Sequence, residues 1–160
     1  MASLEDEFAV RAVVTRYSDA IMCRDPAAAA ALFARDGVLH AFAGEPVVGR
    51  EAIEAALGGR VSSRTLDPAE TSFGFQMSRE VGVSIDGDTA QGRWYYLEIG
   101  RGGEPGTGRL SMGTFNDRFV RTDEGWKIAH RRLTRFYVGD LEMPGKSFTR
   151  EFETWTAKSS

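Results

Sequence analysis

The stretch from Gly113 to Arg132 constrains this chain more than any other: Gly-Thr-Phe-Asn-Asp-Arg-Phe-Val-Arg-Thr-Asp-Glu-Gly-Trp-Lys-Ile-Ala-His-Arg-Arg. Thr114, Phe115, Phe119 and Val120 favour a strand, and Trp126, Ile128 and Leu133 carry a second one. Asp123-Glu124-Gly125 between them supplies residues that tolerate a tight turn. The stretch reads as two long strands joined by a hairpin.

The remaining elements follow from periodicity and punctuation. Ser3 with Asp6 three residues on marks a helix start, and Val10, Val13, Val14, Tyr17 and Ile21 recur at helical spacing up to about Met22. Asp25-Pro26 is a cap followed by a first-turn proline. It opens a second helix, an alanine run with Leu32 and Phe33 that stops at Asp36-Gly37. Val38 to Phe42 reads as a short strand, Gly44 to Gly49 as a loop, and Arg50 to Leu57 as a third helix ended by Gly58-Gly59. Residues 60–71 are polar, carry Pro68 and read as a loop. Strands are expected over Phe73–Ile85, Ala90–Ile99, Arg109–Arg121 and Gly125–Val138, with a hairpin turn at Asp86-Gly87. The glycine-rich segment 100–108 leads into a strand and not a helix, so it is a hairpin loop and not a phosphate cradle. Helices first and strands after give an α+β fold. The expected form is an antiparallel sheet with helices on one face and a cone-shaped interior. The domain is expected over residues 1–138. A tail, 139–160, carries Phe148, Phe152 and Trp155 and is expected to pack on the pocket or on a neighbouring subunit.

Composition narrows the function. The 160 residues are 42% hydrophobic and 27% charged, as in a single soluble domain. The net charge is −3 and the pI about 5.5, so no nucleic-acid footprint is expected. Cys23 is the one cysteine, and His40 and His130 are too few for a typical zinc site. No apolar run approaches the roughly 20 residues that span a bilayer. The acidic start Met-Ala-Ser-Leu-Glu-Asp-Glu lacks the order of a signal peptide. A cytoplasmic protein is the expectation.

The pattern Gly-Thr-aromatic-x-Asp-x-aromatic-x-Arg-x-x-x-Gly-Trp-x-Ile-x-x-Arg resembles the last hairpin of the SnoaL-like branch of the NTF2-like superfamily. Further support comes from Tyr17-Ser18-Asp19, Asp25, Leu32-Phe33-x-x-Asp36-Gly37, Gly49-Arg-Glu-Ala-Ile53 and Ile85-Asp-Gly-Asp-x-Ala90, so the likeness runs over about residues 8–138. It implies a curved sheet wrapped around about three helices with an internal pocket. The fold is shared by isomerases, dehydratases, lyases and binding modules.

The resemblance also implies a site. Asp25 occupies the position of an aspartate that lines the pocket of dehydratase and dehydrochlorinase relatives, although it also caps the second helix. The family's histidine falls on the first long strand, where this chain has Phe75 as a pocket wall with Gln76 beside it. By the same resemblance the face carrying Trp94, Tyr96 and Glu98 lines the cavity, because side chains two apart on a strand share a face. Glu98 among aromatic rings suits a general acid or base, with a surface ion pair to a neighbouring arginine as the alternative. Arg131 matches the family's arginine that holds developing negative charge, and Arg135 follows it on the same face. A buried Arg131 requires a carboxylate partner, with Asp19, Asp25 or Glu98 as candidates. His130 is expected on the opposite face from Arg131. His40, on the short strand under the pocket, is the better acid–base candidate of the two histidines. The proposed catalytic set is therefore Asp25, His40, Tyr96, Glu98 and Arg131. Tyr17, Ile21, Phe75, Trp94, Asn116, Leu133 and Arg135 are expected to bind substrate.

The expected activity is that of a cofactor-free lyase, dehydratase or isomerase acting by acid–base chemistry on an apolar, aromatic or polycyclic small molecule such as a polyketide, a steroid or a lignin-derived aromatic. The alternative is a non-catalytic module that uses the cone as a ligand pocket. A homodimer or homotrimer is expected, with a small molecule as the partner and neither nucleic acid nor membrane.

Overall fold

A computed structural model describes residues 3–41, 44–62, 73–101 and 106–145. Helix α1 spans Leu4–Met22, and α2 spans Pro26–Ala31. Strand β1 (Phe33–His40) and a two-residue β2 (Val47–Val48) precede α3 (Arg50–Ser62). Four long strands follow: β3 (Phe73–Asp86), β4 (Thr89–Arg101), β5 (Thr107–Thr122) and β6 (Gly125–Glu142). They form one open six-stranded sheet in the order β2-β1-β6-β5-β4-β3. Every neighbouring pair is antiparallel except β1 with β6, which is parallel, so the sheet is mixed where a wholly antiparallel one was expected.

Several boundaries differ from the sequence reading. Helix α2 stops at Ala31, and Phe33 already belongs to β1. Phe33 finds a strand partner in Ile128, and the Ile128 amide donates to the Leu32 carbonyl. Gly58-Gly59 does not end α3, which continues to Ser62; Leu57, packed in the core, holds that turn. Val47-Val48, read as loop, adds a short edge to β1. Strand β6 runs four residues past Val138, paired with β5 throughout, so the expected tail begins later. Phe148, Phe152 and Trp155 lie outside the described residues.

One face of the sheet is covered by the helices. Val10, Val13, Val14 and Tyr17 of α1, Ala29 and Ala30 of α2, and Ile53 and Leu57 of α3 pack against Phe33, Leu39, Trp94, Phe119, Trp126 and Ile128. The sheet is interrupted by four register shifts: one on β1 between Phe33 and Val38, and three that each add one residue to one strand. Glu80 pairs with Trp94 and Gly82 with Arg93, leaving Val81 over on β3. On β6, Ala129 is left over between the Phe119–Ile128 and Arg118–His130 pairs. Phe136 is left over between Gly113–Arg135 and Met112–Tyr137. A bulge reverses which residues face inward on the far side of it.

The start of α1 is pinned to the last hairpin through Asp6. Its carboxylate accepts from the Trp126 indole N–H at 3.0 Å and pairs with Arg121 at 2.7 Å, while the Asp6 amide donates to Ser3 Oγ at 3.1 Å. Trp126, Arg121 and Ser3, in that order, hold the Asp6 carboxyl down from the ordinary 3.8 to about 2. A carboxyl lowered by folding contributes stability that is whole above its unfolded value and is lost as the pH falls through the folded one. The Asp6→Asn variant should therefore be less stable than the parent near neutral pH. The gap should close as the pH falls from about 4 to about 2. Urea midpoints across that range test it, and a gap that stays constant would contradict it.

Candidate active site

The inner face carries polar groups beyond the apolar core, in the half of the sheet between the Val81 and Phe136 bulges. Strand register places Gln76 opposite Glu98, Ser78 opposite Tyr96 and Glu98 opposite Ser111. One step nearer the core, Tyr96 is opposite Gly113 and Gly113 opposite Arg135; Trp94, Phe115 and Leu133 form the next row. Gly113 has no Cβ because one would sit 2.0 Å from the Thr134 carbonyl oxygen, and this close approach lets β6 bulge beside it.

Arg131 is the anchor. It is fully buried and makes two parallel bonds to Asp117, Nε to Oδ1 at 2.9 Å and Nη2 to Oδ2 at 2.6 Å. Its guanidinium lies 4.2 Å from the centre of the Tyr17 ring and 4.4 Å from that of Phe115. The Phe115 ring in turn stacks on Tyr96 with centroids 4.8 Å apart. Burial opposes the Arg131 charge, yet Asp117 outweighs it and the guanidinium pKa rises. Burial also pushes the Asp117 carboxyl up, against the pull of Arg131. Arginine does not give up its proton in a protein, and both carboxylate oxygens accept from it, so the pair is ionic. Arg131 Nη1 is buried and has no acceptor among the described residues.

The expected partners of Arg131 were Asp19, Asp25 or Glu98; the partner is Asp117. Asp19 and Asp25 are both exposed, and Glu98 lies three rows of the sheet away. Asp117 was legible: it falls midway between Phe115 and Phe119, so it shares the face of two core aromatics.

The other candidates separate into those that reach this face and those that do not. Tyr96 is buried, with its hydroxyl 2.9 Å from Ser111 Oγ. Glu98 is half-buried and accepts from Gln76 Nε2 at 3.3 Å. Ile21 and Leu133 pack at the edge of the core. Arg135 donates to the Ala41 carbonyl at 2.8 Å. Trp94 faces inward but is part of the core, edge-on to Phe119 at 5.6 Å. Asp25 caps α2: its Oδ1 accepts from the Ala28 amide at 2.8 Å, on the exposed end of the helix.

Three placements are corrections. Phe75 is not on the inner face: the extra residue Val81 shifts the alternation, so Phe75 is 39% exposed on the outer face and Gln76 is buried in its stead. His40 is not under the pocket. It alternates with the buried Leu39 and Ala41 and is registered with Arg132, on the outer face beside His130. Asn116 is also outer, opposite Arg93 and Arg132, with its amide on Thr114 Oγ1 at 3.2 Å. His130 does oppose Arg131, as expected. Burial, followed by Arg118 and His40, lowers its pKa. Asn116 and His130, with Arg93, Arg118 and Arg132, line an open depression of about 690 Å³. Among the described residues no group of three or more His, Cys, Asp or Glu is placed to hold a metal ion. No described helix is long and apolar enough to cross a membrane.

An α+β sheet with helices on one face and a polar inner patch beyond the core is the architecture of the NTF2-like proteins. The chain belongs to the SnoaL-like domain family, which matches it over residues 2–132. No curated protein matches it. It is similar in structure to a protein of Novosphingobium aromaticivorans provisionally assigned as a scytalone dehydratase, with 20% identity, 94% of this chain and 97% of that chain covered, and a TM-score of 0.75. A ketosteroid isomerase-like protein from Erwinia carotovora is 16% identical over 84% of this chain and 99% of its own, with a TM-score of 0.70. An NTF2-like protein with a cystatin-like fold, also from Novosphingobium aromaticivorans, is 26% identical over 83% of each chain, with a TM-score of 0.65. These likenesses establish the fold, and the family match establishes the SnoaL-like domain.

Removing one member of a buried ion pair strands the other, at about 3–5 kcal/mol. Asp117→Leu should cost that much in urea unfolding, and adding Arg131→Met should recover most of it. A single variant costing less than about 1 kcal/mol would show that Arg131 finds another partner.

Proposed function

We propose that this protein is a cofactor-independent acid–base enzyme, a lyase, dehydratase or isomerase, acting on an apolar ring-bearing small molecule. The observation that carries this reading is the juxtaposition of a carboxylate and a phenol on one strand face. Glu98 and Tyr96 are two residues apart on β4, both directed inward, so their Cα atoms are about 7 Å from each other. Glu98 is the proton-transfer group. It takes a proton from carbon beside a carbonyl, and the electron pair moves onto the carbonyl oxygen, where Tyr96 donates a hydrogen bond. Return of the proton to a different carbon completes an isomerisation; loss of hydroxide from the neighbouring carbon, with that proton, completes a dehydration. Arg131 supports this negative charge from behind Phe115, and Tyr17 and Phe115 keep it in place. Apolar walls from Ile21 and Leu133 favour a ring system. His40 has no part in this chemistry, because it is on the other face of the sheet.

A second reading has its own support. Both histidines lie on the outer face, and Gln76, which does not titrate, stands on the inner face of β3. A ligand-binding module without turnover would need no more than this.

Thermal stabilisation by a set of hydroxylated and keto ring compounds identifies a ligand, and turnover of that ligand separates the readings. Glu98→Gln should lower turnover about 100-fold or more with little change in melting temperature. If Glu98→Gln keeps full activity and Asp25→Asn loses it, Asp25 is the base.

We also propose a homodimer or homotrimer joined through the outer sheet face. Met77, Tyr95, Phe136 and Tyr137 are each about half exposed or more there, and the rings of Tyr95 and Phe136 meet at 6.3 Å. Sedimentation at micromolar concentration should show the oligomer, and Phe136→Glu should shift it towards monomer. A monomeric parent protein would refute this.

A further inference from the structure

Among the described residues, Gln76 is an inner-face side chain of β3 whose amide oxygen is buried and finds no hydrogen-bond partner. Its neighbours Phe75 and Met77 are exposed on the outer face, while Gln76 is only 7% exposed. The amide faces the Glu98 carboxylate across the β3–β4 pair at 3.3 Å. A carboxylate only accepts, so the amide must present its nitrogen to Glu98. That choice fixes the other end: Oε1 points away from Glu98, is buried, and has no donor among the described residues. A buried acceptor without a donor is costly, whereas an apolar side chain here would strand no buried acceptor, and the half-buried Glu98 would keep access to water in place of the lost bond. Stability therefore does not account for a glutamine at this position.

The geometry points to a ligand that brings its own donor. We propose that Gln76 Oε1 accepts a hydrogen bond from a hydroxyl of the ligand while Nε2 holds the Glu98 carboxylate. One amide thus aims the carboxylate and reads the ligand. The inference rests on the inner face being the ligand site, and it adds the substrate class: a ring compound bearing a hydroxyl. The two ends of one amide are roughly 2 Å apart, and each hydrogen bond adds about 3 Å. The hydroxyl must therefore sit within about 8 Å of the Glu98 carboxylate. A ring ketone without a hydroxyl, or the methyl ether of the same compound, leaves Oε1 unpaired and is selected against. Rejection of this kind is strong because the cost falls on a group already buried.

The test uses 2-naphthol and 2-methoxynaphthalene, which share a ring system and differ in the donor, with affinity read by calorimetric titration of the full chain. The parent protein should bind 2-naphthol about tenfold tighter than the ether, the scale of one hydrogen bond to a buried acceptor. Gln76→Leu should bind the two equally and melt at the same temperature as the parent or higher. Gln76→Met provides the same readout if the leucine variant does not fold. A hydroxyl preference that survives in the folded Gln76→Leu or Gln76→Met protein overturns the proposal, as does failure of the parent to prefer 2-naphthol or to bind either compound at millimolar concentration. A fall in melting temperature with the preference intact would show a structural amide that only braces Glu98, and also overturns it. Binding is read without turnover, so the outcome is separable from the catalytic reading. A catalytically silent protein that loses the preference in Gln76→Leu still supports the assignment.

Discussion

The buried pair between Arg131 and Asp117 is the interaction on which the rest of the inner face depends. A charge with no exposure to water is tolerable only when a counter-charge meets it in good geometry, and the two short parallel bonds on neighbouring strands provide that. The guanidinium plane is then sandwiched by Tyr17 from α1 and Phe115 from β5. Helix, two strands and the ring stack that reaches Tyr96 are thus fixed to one another by a single group. Because both ends of the pair are on the sheet, its register is also locked: slipping β6 by one residue would send Arg131 to the outer face and leave Asp117 alone inside.

The sheet divides its labour along its length. Where β4, β5 and β6 meet α1 and α2, the inner face is apolar core, with Trp94, Phe119 and Ile128. Beyond the Arg131–Asp117 pair and the rings it holds, the inner face becomes polar, with Tyr96, Ser111, Glu98 and Gln76 in two rows. Such a polar patch at the end of a core cannot be explained by packing, since each of these groups costs more to bury than the apolar side chain it displaces. The pattern is what a fold shared by many chemistries would show if function resides in the side chains at one end of a constant frame.

The bulges explain why the site was only half legible. On β3, residues 73, 75, 77, 81, 83 and 85 are all apolar, and strict alternation puts every one of them on the same face. Val83 and Ile85 do pack on the core, but the extra residue Val81 reverses the alternation, and Phe75 and Met77 emerge on the other side. The same reversal brings Gln76 inside. On β6, continuing the alternation from Trp126 and Ile128 would put His130 inside and Arg131 outside, and Ala129 inverts that. Arg131 was expected inside only through the resemblance to other chains, and its partner Asp117 was missed although the spacing Phe115, Asp117, Phe119 carried it.

What the sequence determined by itself was the set of elements. The 3.6-residue spacing of α1, the Ser3 and Asp25 caps, and the turns at Asp86-Gly87 and Asp123-Glu124-Gly125 are local signals, set by hydrogen bonds and torsions within a few residues. The tertiary structure alone decided which side of each strand faces the helices. Val81 stands beside Gly82, a local mark of a bulge, whereas Ala129 and Phe136 are ordinary strand residues without one. The register that results buries Trp94, Phe119 and Ile128 and brings Arg131 to Asp117. The parallel pairing of β1 with β6, and the outer position of His40, follow from the same long-range fit and have no signature in the chain near either residue.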